Sequence, residues 1–307
     1  MHTDGMDGRA FEPAATELLG YPADARMLII NLDDFGMYHG INAAVVASIE
    51  EGIASSCSLM VPCPGAPHAM RLLREKPEIP FGIHLTLLCD TTHHRWGPLT
   101  AREQVPSLLS ETGELFTPAE VAELLARARP DEVELEFRAQ VDAVIDAGLT
   151  PTHLDWHCLA DGGRADIFDL TLALAEEYGL AMRVWLDPGR RRARRRGLPV
   201  VDHDFLDSFR LDLDGKSARY AQLLRDLPVG LSVWAVHPGL GDDESQALDP
   251  GGWRVRRTDY EFLTSPQARE LLRQEGITVT DYRSLQRVWS QTSARRPSGR
   301  VADGSAA

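Results

Sequence analysis

The residues best suited to chemistry are carboxylates and imidazoles at or near the ends of short apolar runs. In Asn31-Leu32-Asp33-Asp34-Phe35-Gly36, an apolar run from Met27 meets two adjacent acids. Two neighbouring carboxylates can divide labour, one coordinating a cation while the other accepts a proton. The plain alternative is a helix cap or a solvated turn. In Gly82-Ile83-His84-Leu85-Thr86-Leu87, a lone histidine in an apolar run is by itself more often a hydrogen-bonded core residue, and its company elsewhere in the chain raises the functional reading. In Thr152-His153-Leu154-Asp155-Trp156-His157, strand alternation gives His153, Asp155 and His157 one face, with Leu154 and Trp156 on the other. Three ionisable groups on one strand face are costly to bury without partners. A cation, with a carboxylate orienting a ligating imidazole, explains the set. In Val233-Trp234-Ala235-Val236-His237-Pro238-Gly239, another apolar run ends in a histidine. His237 can protonate a leaving group near neutral pH, or be a turn residue with no task. Two imidazoles and one carboxylate leave open positions on a divalent cation, as catalysis requires. Arg183, on the run after the Glu176–Leu180 helix end, can orient a carboxylate or a substrate.

These groups need elements to position them. Strands are expected at Met27–Leu32, Ser58–Val61, Phe81–Leu87, Thr152–His157, Ala181–Leu186, Leu231–Val236 and Ile277–Thr280, short runs bounded by Gly, Pro or Asp. Helices are expected at Ile41–Glu51, Pro67–Glu75, Pro118–Arg127, Glu132–Ala147, Ile167–Tyr178, Lys216–Asp226, Pro266–Gln274 and Tyr282–Trp289. The helix from Glu132 carries Val133, Phe137, Val141, Val144 and Ile145 on one stripe, as burial against a sheet requires. The alternation implies an α/β fold: an irregular (β/α) barrel of about seven mostly parallel strands with helices outside, with a doubly wound sheet as the alternative. In parallel α/β folds the C-terminal strand ends collect ligands and catalytic groups. Residues 1–20 read as a flexible segment, 21–291 as a single domain and 292–307 as a disordered tail. The run Gly189 to Gly197 holds six arginines and reads as a self-repelling solvated loop, or as a loop that contacts an anion.

Composition limits the function classes. At 307 residues the chain can bury a large core without a structural metal or disulfides. A net charge of -14 disfavours general nucleic-acid binding, which needs a basic surface. The four cysteines form no Cys-x-x-Cys pair and are expected as reduced thiols. No stretch approaches the ~20 apolar residues that span a bilayer, and the N-terminus lacks a secretory pattern, so a cytoplasmic protein is expected.

The ordered set Asp33-Asp34-Phe35-Gly36 with Gly40-Ile41-Asn42, Gly52-Ile53 to Ser58-Leu59-Met60, Gly82-Ile83-His84-Leu85, Thr152 to His157, and His237-Pro238-Gly239 resembles the YdjC/ChbG family of carbohydrate deacetylases, relatives of the polysaccharide deacetylases. The likeness runs from about Leu28 to Tyr282. It implies a barrel of the (β/α) type and removal of an acetyl group from an N-acetylated sugar. It assigns Asp34, His84 and His157 to one divalent metal ion, Mg2+ or Zn2+, Asp33 to the base and His237 to the acid. Asp155, and with it His153 and Arg183, would support a ligand or the substrate. The chain departs from the family pattern at Trp156, Leu159 and Asp161, where serine and two further histidines are usual. The expected partner is a small N-acetylated carbohydrate, not nucleic acid or a membrane, with a homodimer left open. The rival readings are a metal hydrolase of another amide or ester bond and a non-catalytic sugar-binding protein.

Overall fold

The structure, a computed structural model, describes residues 14–203 and 206–295. Eight strands form one parallel sheet: β1 (Arg26–Phe35), β2 (Ser56–Leu59), β3 (Phe81–Leu85), β4 (His153–Trp156), β5 (Ala181–Met182), β6 (Leu206–Asp207), β7 (Gly230–Val236) and β8 (Thr278–Thr280). Seven follow one path, β5-β4-β3-β2-β1-β7-β6, and curl into a half-barrel with helices around it. β5 and β6 stand at the two ends of that path, so the barrel stays open. β1 is its axis. One edge pairs with β7 from Arg26 to Leu32; the other takes β8 along Met27–Ile29 and then β2 from Asn31 onward. Met27 to Leu32 are all buried, as expected for a strand covered on both faces.

β1 does not run straight into the acid pair. From Leu32 to Phe35 is three steps on β1, facing two on β2 from Cys57 to Leu59, so β1 carries one extra residue there. Such a bulge re-aims side chains that a regular strand would send to opposite faces.

The helix Pro130–Asp146 buries Val133, Phe137, Val141 and Val144 as expected, but Ile145 is 43% exposed. Ile145 lies one step around the helix from Val144, past the edge of the buried stripe. Beside that stripe runs a buried polar one, Glu132, Glu136 and Gln140. These accept the backbone N–H groups of Ser107, of Leu99 and Thr100, and of Thr86, tying down the long β3–β4 connection.

Several expectations are corrected. The arginine run is no loop: Asp187–Arg194 is a helix, and Arg190 is buried against the carbonyls of Trp185 and His203. Arg192, Arg194 and Arg196 pair with Asp169, Asp202 and Glu176, acids on other segments that offset the self-repulsion. Helices at Asp243–Leu248 and Trp253–Leu263 and the short β6 were not expected. Of the expected flexible start, residues 14–20 are ordered by a short helix, Ala15–Leu18, with Ala15 and Thr16 buried. The last helix runs from Tyr282 to Arg295, past the expected tail boundary at 292. The rest of both expected ends, residues 1–13 and 296–307, lies outside the described residues. Among the described residues all four cysteines are free, and no helix is long and apolar enough to cross a membrane.

Candidate metal and catalytic site

Both acids of the pair are buried and face one cleft. Asp34 adopts φ 67, the left-handed region, in the bulge. Only three non-glycine residues have positive φ among the described ones, Asp34, Cys158 and Asp161; the first two line the cleft, and Asp161 lines a separate pocket. Strained backbone of this kind persists where the surroundings over-determine it.

Asp33 is held from below. Arg183 donates to its two carboxylate oxygens at 2.8 and 2.8 Å, and Asn31 Nδ2 donates to Oδ1 at 2.7 Å. Arg183 is wholly buried on the segment that continues β5 and also lies 3.1 Å from Asp155 Oδ2. A planar guanidinium matching a carboxylate at both oxygens fixes its plane as well as its position.

His84, on β3, turns Nε2 to the cleft and Nδ1 to Asp155 on the neighbouring β4. His84 Nδ1 is 2.6 Å from Asp155 Oδ1, and Nε2 is 3.5 Å from Asp34 Oδ1. Burial alone would lower the His84 pKa, but Asp155 and Asp33 outweigh it and push it up to about 9. Burial would raise Asp155; Arg183 and His84 outweigh that and hold it well below the usual carboxylate range. Ser58 Oγ donates to Asp155 Oδ2 at 2.6 Å and accepts from Asn31 Nδ2 at 2.8 Å, knitting β1, β2 and β4 together.

His153 lies beneath this layer. It is fully buried, stacked on Tyr282 with ring centroids 3.7 Å apart, and bonded to Thr152 Oγ1 and Ser58 Oγ. It does not line the cleft, which leaves it a supporting place rather than a substrate contact. A Cβ on Gly82 would fall 2.4 Å from the His153 ring, so the glycine two residues before His84 makes room for that ring.

His157 sits just past the end of β4. Its Nδ1 is 3.2 Å from Asp34 Oδ1, and its Nε2 is 3.8 Å from Asp90 Oδ1 and 3.4 Å from Cys158 Sγ. Arg256, from the helix Trp253–Leu263, is 1% exposed and ties this side together. It donates to Asp34 Oδ2 at 2.7 Å, to Asp90 Oδ2 at 3.0 Å and to Asp249 Oδ2 at 2.8 Å. Burial would raise the pKa of Asp34, but Arg256 and the hydrogen bonds with His157 and His84 outweigh it and hold it well below the usual range. With Oδ2 committed to Arg256, Oδ1 is the oxygen that meets both imidazoles. Asp34, His84 and His157 thus offer one donor atom each, all within 4.8 Å of one another.

His237 closes the opposite wall. Its Nε2 is 3.9 Å from Asp33 Oδ2, and its Nδ1 is 2.8 Å from Ser208 Oγ. The cleft has a volume of about 190 Å³, and Trp185 and Phe209 contribute aromatic surface to it. Trp156, Leu159 and Asp161 play different parts, and Trp156 also lines the cleft. Trp156 is buried and donates Nε1–H to Thr171 Oγ1; Leu159 joins the core. Asp161 accepts the N–H groups of Trp185 and Leu186, and burial pushes its carboxyl up to about 6.

This arrangement has relatives. The model of the YdjC-like protein family matches residues 27–274. The chain belongs to that family. A carbohydrate deacetylase of Geobacillus stearothermophilus is 32% identical over 262 residues, 85% of this chain and 98% of the relative. A chitooligosaccharide deacetylase of Serratia marcescens is 30% identical over 270 residues, 85% of this chain and 99% of the relative. Among solved structures, a putative cellobiose-phosphate cleavage protein from Enterococcus faecalis superposes with a TM-score of 0.75 at 26% identity, over 85% of this chain and 99% of that one.

Within this YdjC-like chain, the expected site residues Asp33, Asp34, His84, Asp155, His157, Arg183 and His237 come together, with His153 one layer below. Arg256, Asp90, Ser58 and Asn31 were not foreseen as site residues. Asn31 and Ser58 lie inside motifs already singled out, and Asp90 follows the end of β3. Arg256 sits in Trp253-Arg254-Val255-Arg256-Arg257, which reads as a solvated charged surface, and nothing local distinguishes the one arginine that is buried.

Proposed function

We propose that this chain removes the acetyl group of an N-acetylated sugar by amide hydrolysis in the cleft, with one divalent cation held by Asp34, His84 and His157. The observation that carries the reading is convergence: a three-donor cluster, the Asp33 carboxylate and the His237 imidazole border one 190 Å³ cleft. The names of the two deacetylase relatives support the substrate class.

The residues fit a cation. The donor separations of 3.2 and 3.5 Å at Asp34 Oδ1 are those of ligands around one centre. Asp155 behind His84 is the usual outer carboxylate of a ligating imidazole. Two imidazole donors favour zinc over magnesium. A divalent cation held there supplies a bound water of lowered pKa and an electrophile for the developing oxyanion.

The chain's own groups do the rest. Asp33 would accept a proton at Oδ2, the oxygen nearest both His84 Nε2 and His237 Nε2. Arg183 keeps that carboxylate from turning away. His237 donates from Nε2 to the departing amine, its ring set by Ser208 at Nδ1. Trp185 and Phe209 present apolar faces of the kind that pack on a pyranose ring.

The test is acetate release from N-acetylglucosamine oligosaccharides, with and without a chelator, beside phosphate release from phosphorylated sugars. Acetate release that zinc restores is expected. Asp33→Asn should lower kcat by about 10²–10⁴-fold while the bound metal stays stoichiometric. Acetate release in no metal, or wild-type turnover in the Asn variant, overturns the reading.

A further inference from the structure

The cluster of Asp34, His84 and His157 uses only one nitrogen of His157. On the other side of the same ring stands a second group of donors: Asp90, His157 through Nε2, and Cys158, again within 4.8 Å of one another. We propose that this is a second, thiophilic cation site at the mouth of the cleft, sharing His157 with the first and taking zinc or cadmium but not magnesium.

Three observations carry it. The first is spacing. A tetrahedral zinc ion with N, O and S ligands at about 2.0–2.3 Å sets ligand–ligand edges of roughly 3.3–3.7 Å. Cys158 Sγ to His157 Nε2 is 3.4 Å, and His157 Nε2 to Asp90 Oδ1 is 3.8 Å. The second is division of Asp90. Arg256 takes Oδ2 at 3.0 Å, and Oδ1 is the oxygen turned to His157. The third is access and aim. Cys158 lines the cleft, and at φ 58 its Sγ lies 3.4 Å from Nε2 of the residue before it. Cys57, Cys63 and Cys89 are buried and belong to no such group among the described residues.

The chemistry separates the two sites. The first has one carboxylate and two imidazoles; the second has a thiolate, which selects soft cations over magnesium. On binding, the thiol proton and the His157 Nε2 proton would leave to solvent, so that His157, as an imidazolate, could serve both donor sets. A second cation would then occupy the part of the cleft that Asp90, His157 and Cys158 line. A hard cation leaves the cleft open, and excess thiophilic cation closes it. This inference rests on the donors themselves and can fail while the deacetylase reading holds.

The test is cadmium titration of the full chain by calorimetry and ultraviolet absorbance. Two equivalents are expected, one of them raising a thiolate-to-cadmium charge-transfer band and lowering turnover as it binds. Cys158→Ser should bind one equivalent without the band. Cys158→Asn tolerates the left-handed backbone and should behave alike, guarding against a folding defect. Asp34→Asn should lose turnover but keep the band, which reads the two sites apart. A single equivalent in the wild type, a band that survives in both Cys158 variants, or full turnover with both equivalents bound overturns the proposal.

Discussion

His84 and His157 each offer the site an imidazole nitrogen, Nε2 from one and Nδ1 from the other, and are held in opposite ways. His84 sits within a regular parallel strand, with Asp155 2.6 Å behind it on the next strand and Arg183 locked to Asp155 in turn. His157 stands beyond the end of its strand. The carboxylate behind it, Asp90, is 3.8 Å away on a loop, and Arg256 reaches that loop from a late helix. One half of the site is therefore built by sheet register, the other by loops pinned with a buried arginine. Register leaves little freedom, because a one-residue slip would send every side chain to the other face. Loops leave enough for a ligand to be shared or displaced.

The largest expected effect is on stability. Arg183→Met leaves Asp33 and Asp155 buried without their counter-charge and should cost about 3–5 kcal/mol of unfolding free energy. Arg256→Met also strands buried Asp34 and Asp249, but it should cost less, because Asp34 keeps His84 and His157, Asp249 keeps the Gly252 N–H, and water can reach partly exposed Asp90. Denaturant unfolding of the two variants measures the gap; equal losses would erase the contrast between the halves.

The next is on cation affinity. Asp155→Asn should weaken zinc binding by about 10–100-fold, the usual effect of losing the carboxylate behind a ligating histidine. Asp90→Asn, at its longer distance, should weaken the first equivalent by less than about 10-fold. Calorimetry with magnesium and zinc separates these, and a larger loss in the Asp90 variant would reverse the assignment of the rigid half.

The smallest is a pH effect. Burial would lower the His84 pKa, but Asp155 and Asp33 push it up to about 9 from the 6.5 of an ordinary histidine. A raised pKa stabilises the fold fully below the unfolded value, and the gain fades as pH rises from 6.5 through about 9. A ligating histidine must be neutral, so over the same window the stabilisation by added cation should grow. Melting curves with and without zinc should diverge as pH rises, with protons released on binding. A metal-induced rise in Tm that is flat across that window would remove His84 from the ligand set.

Much of the frame was legible because each local signal had one physical meaning. Apolar runs broken by Gly, Pro or Asp located β1, β3, β4 and β7, and period-3.6 stripes located the helices that cover them. The strand β6 was not legible: it has two residues and no apolar run of its own. The helix Trp253–Leu263 was missed because its charges look like surface. The arginine run was misread because the acids that neutralise it, Asp169, Glu176 and Asp202, are distant in sequence.

The sequence by itself determined the alternating α/β architecture, the acid pair, the histidines and the strand ends on which they stand. These follow from residue type, spacing and chain direction, which are local. Only the tertiary structure decided that both Asp33 and Asp34 face the cleft, because a bulge and a left-handed Asp34 override strand alternation. It also decided that Arg256 holds Asp34 to one oxygen, and that His153 lies below the site instead of in it. Whether a charge is buried, and which nitrogen of a ring meets which carboxylate, depend on segments more than a hundred residues apart brought to one place, and spacing along the chain carries no record of that.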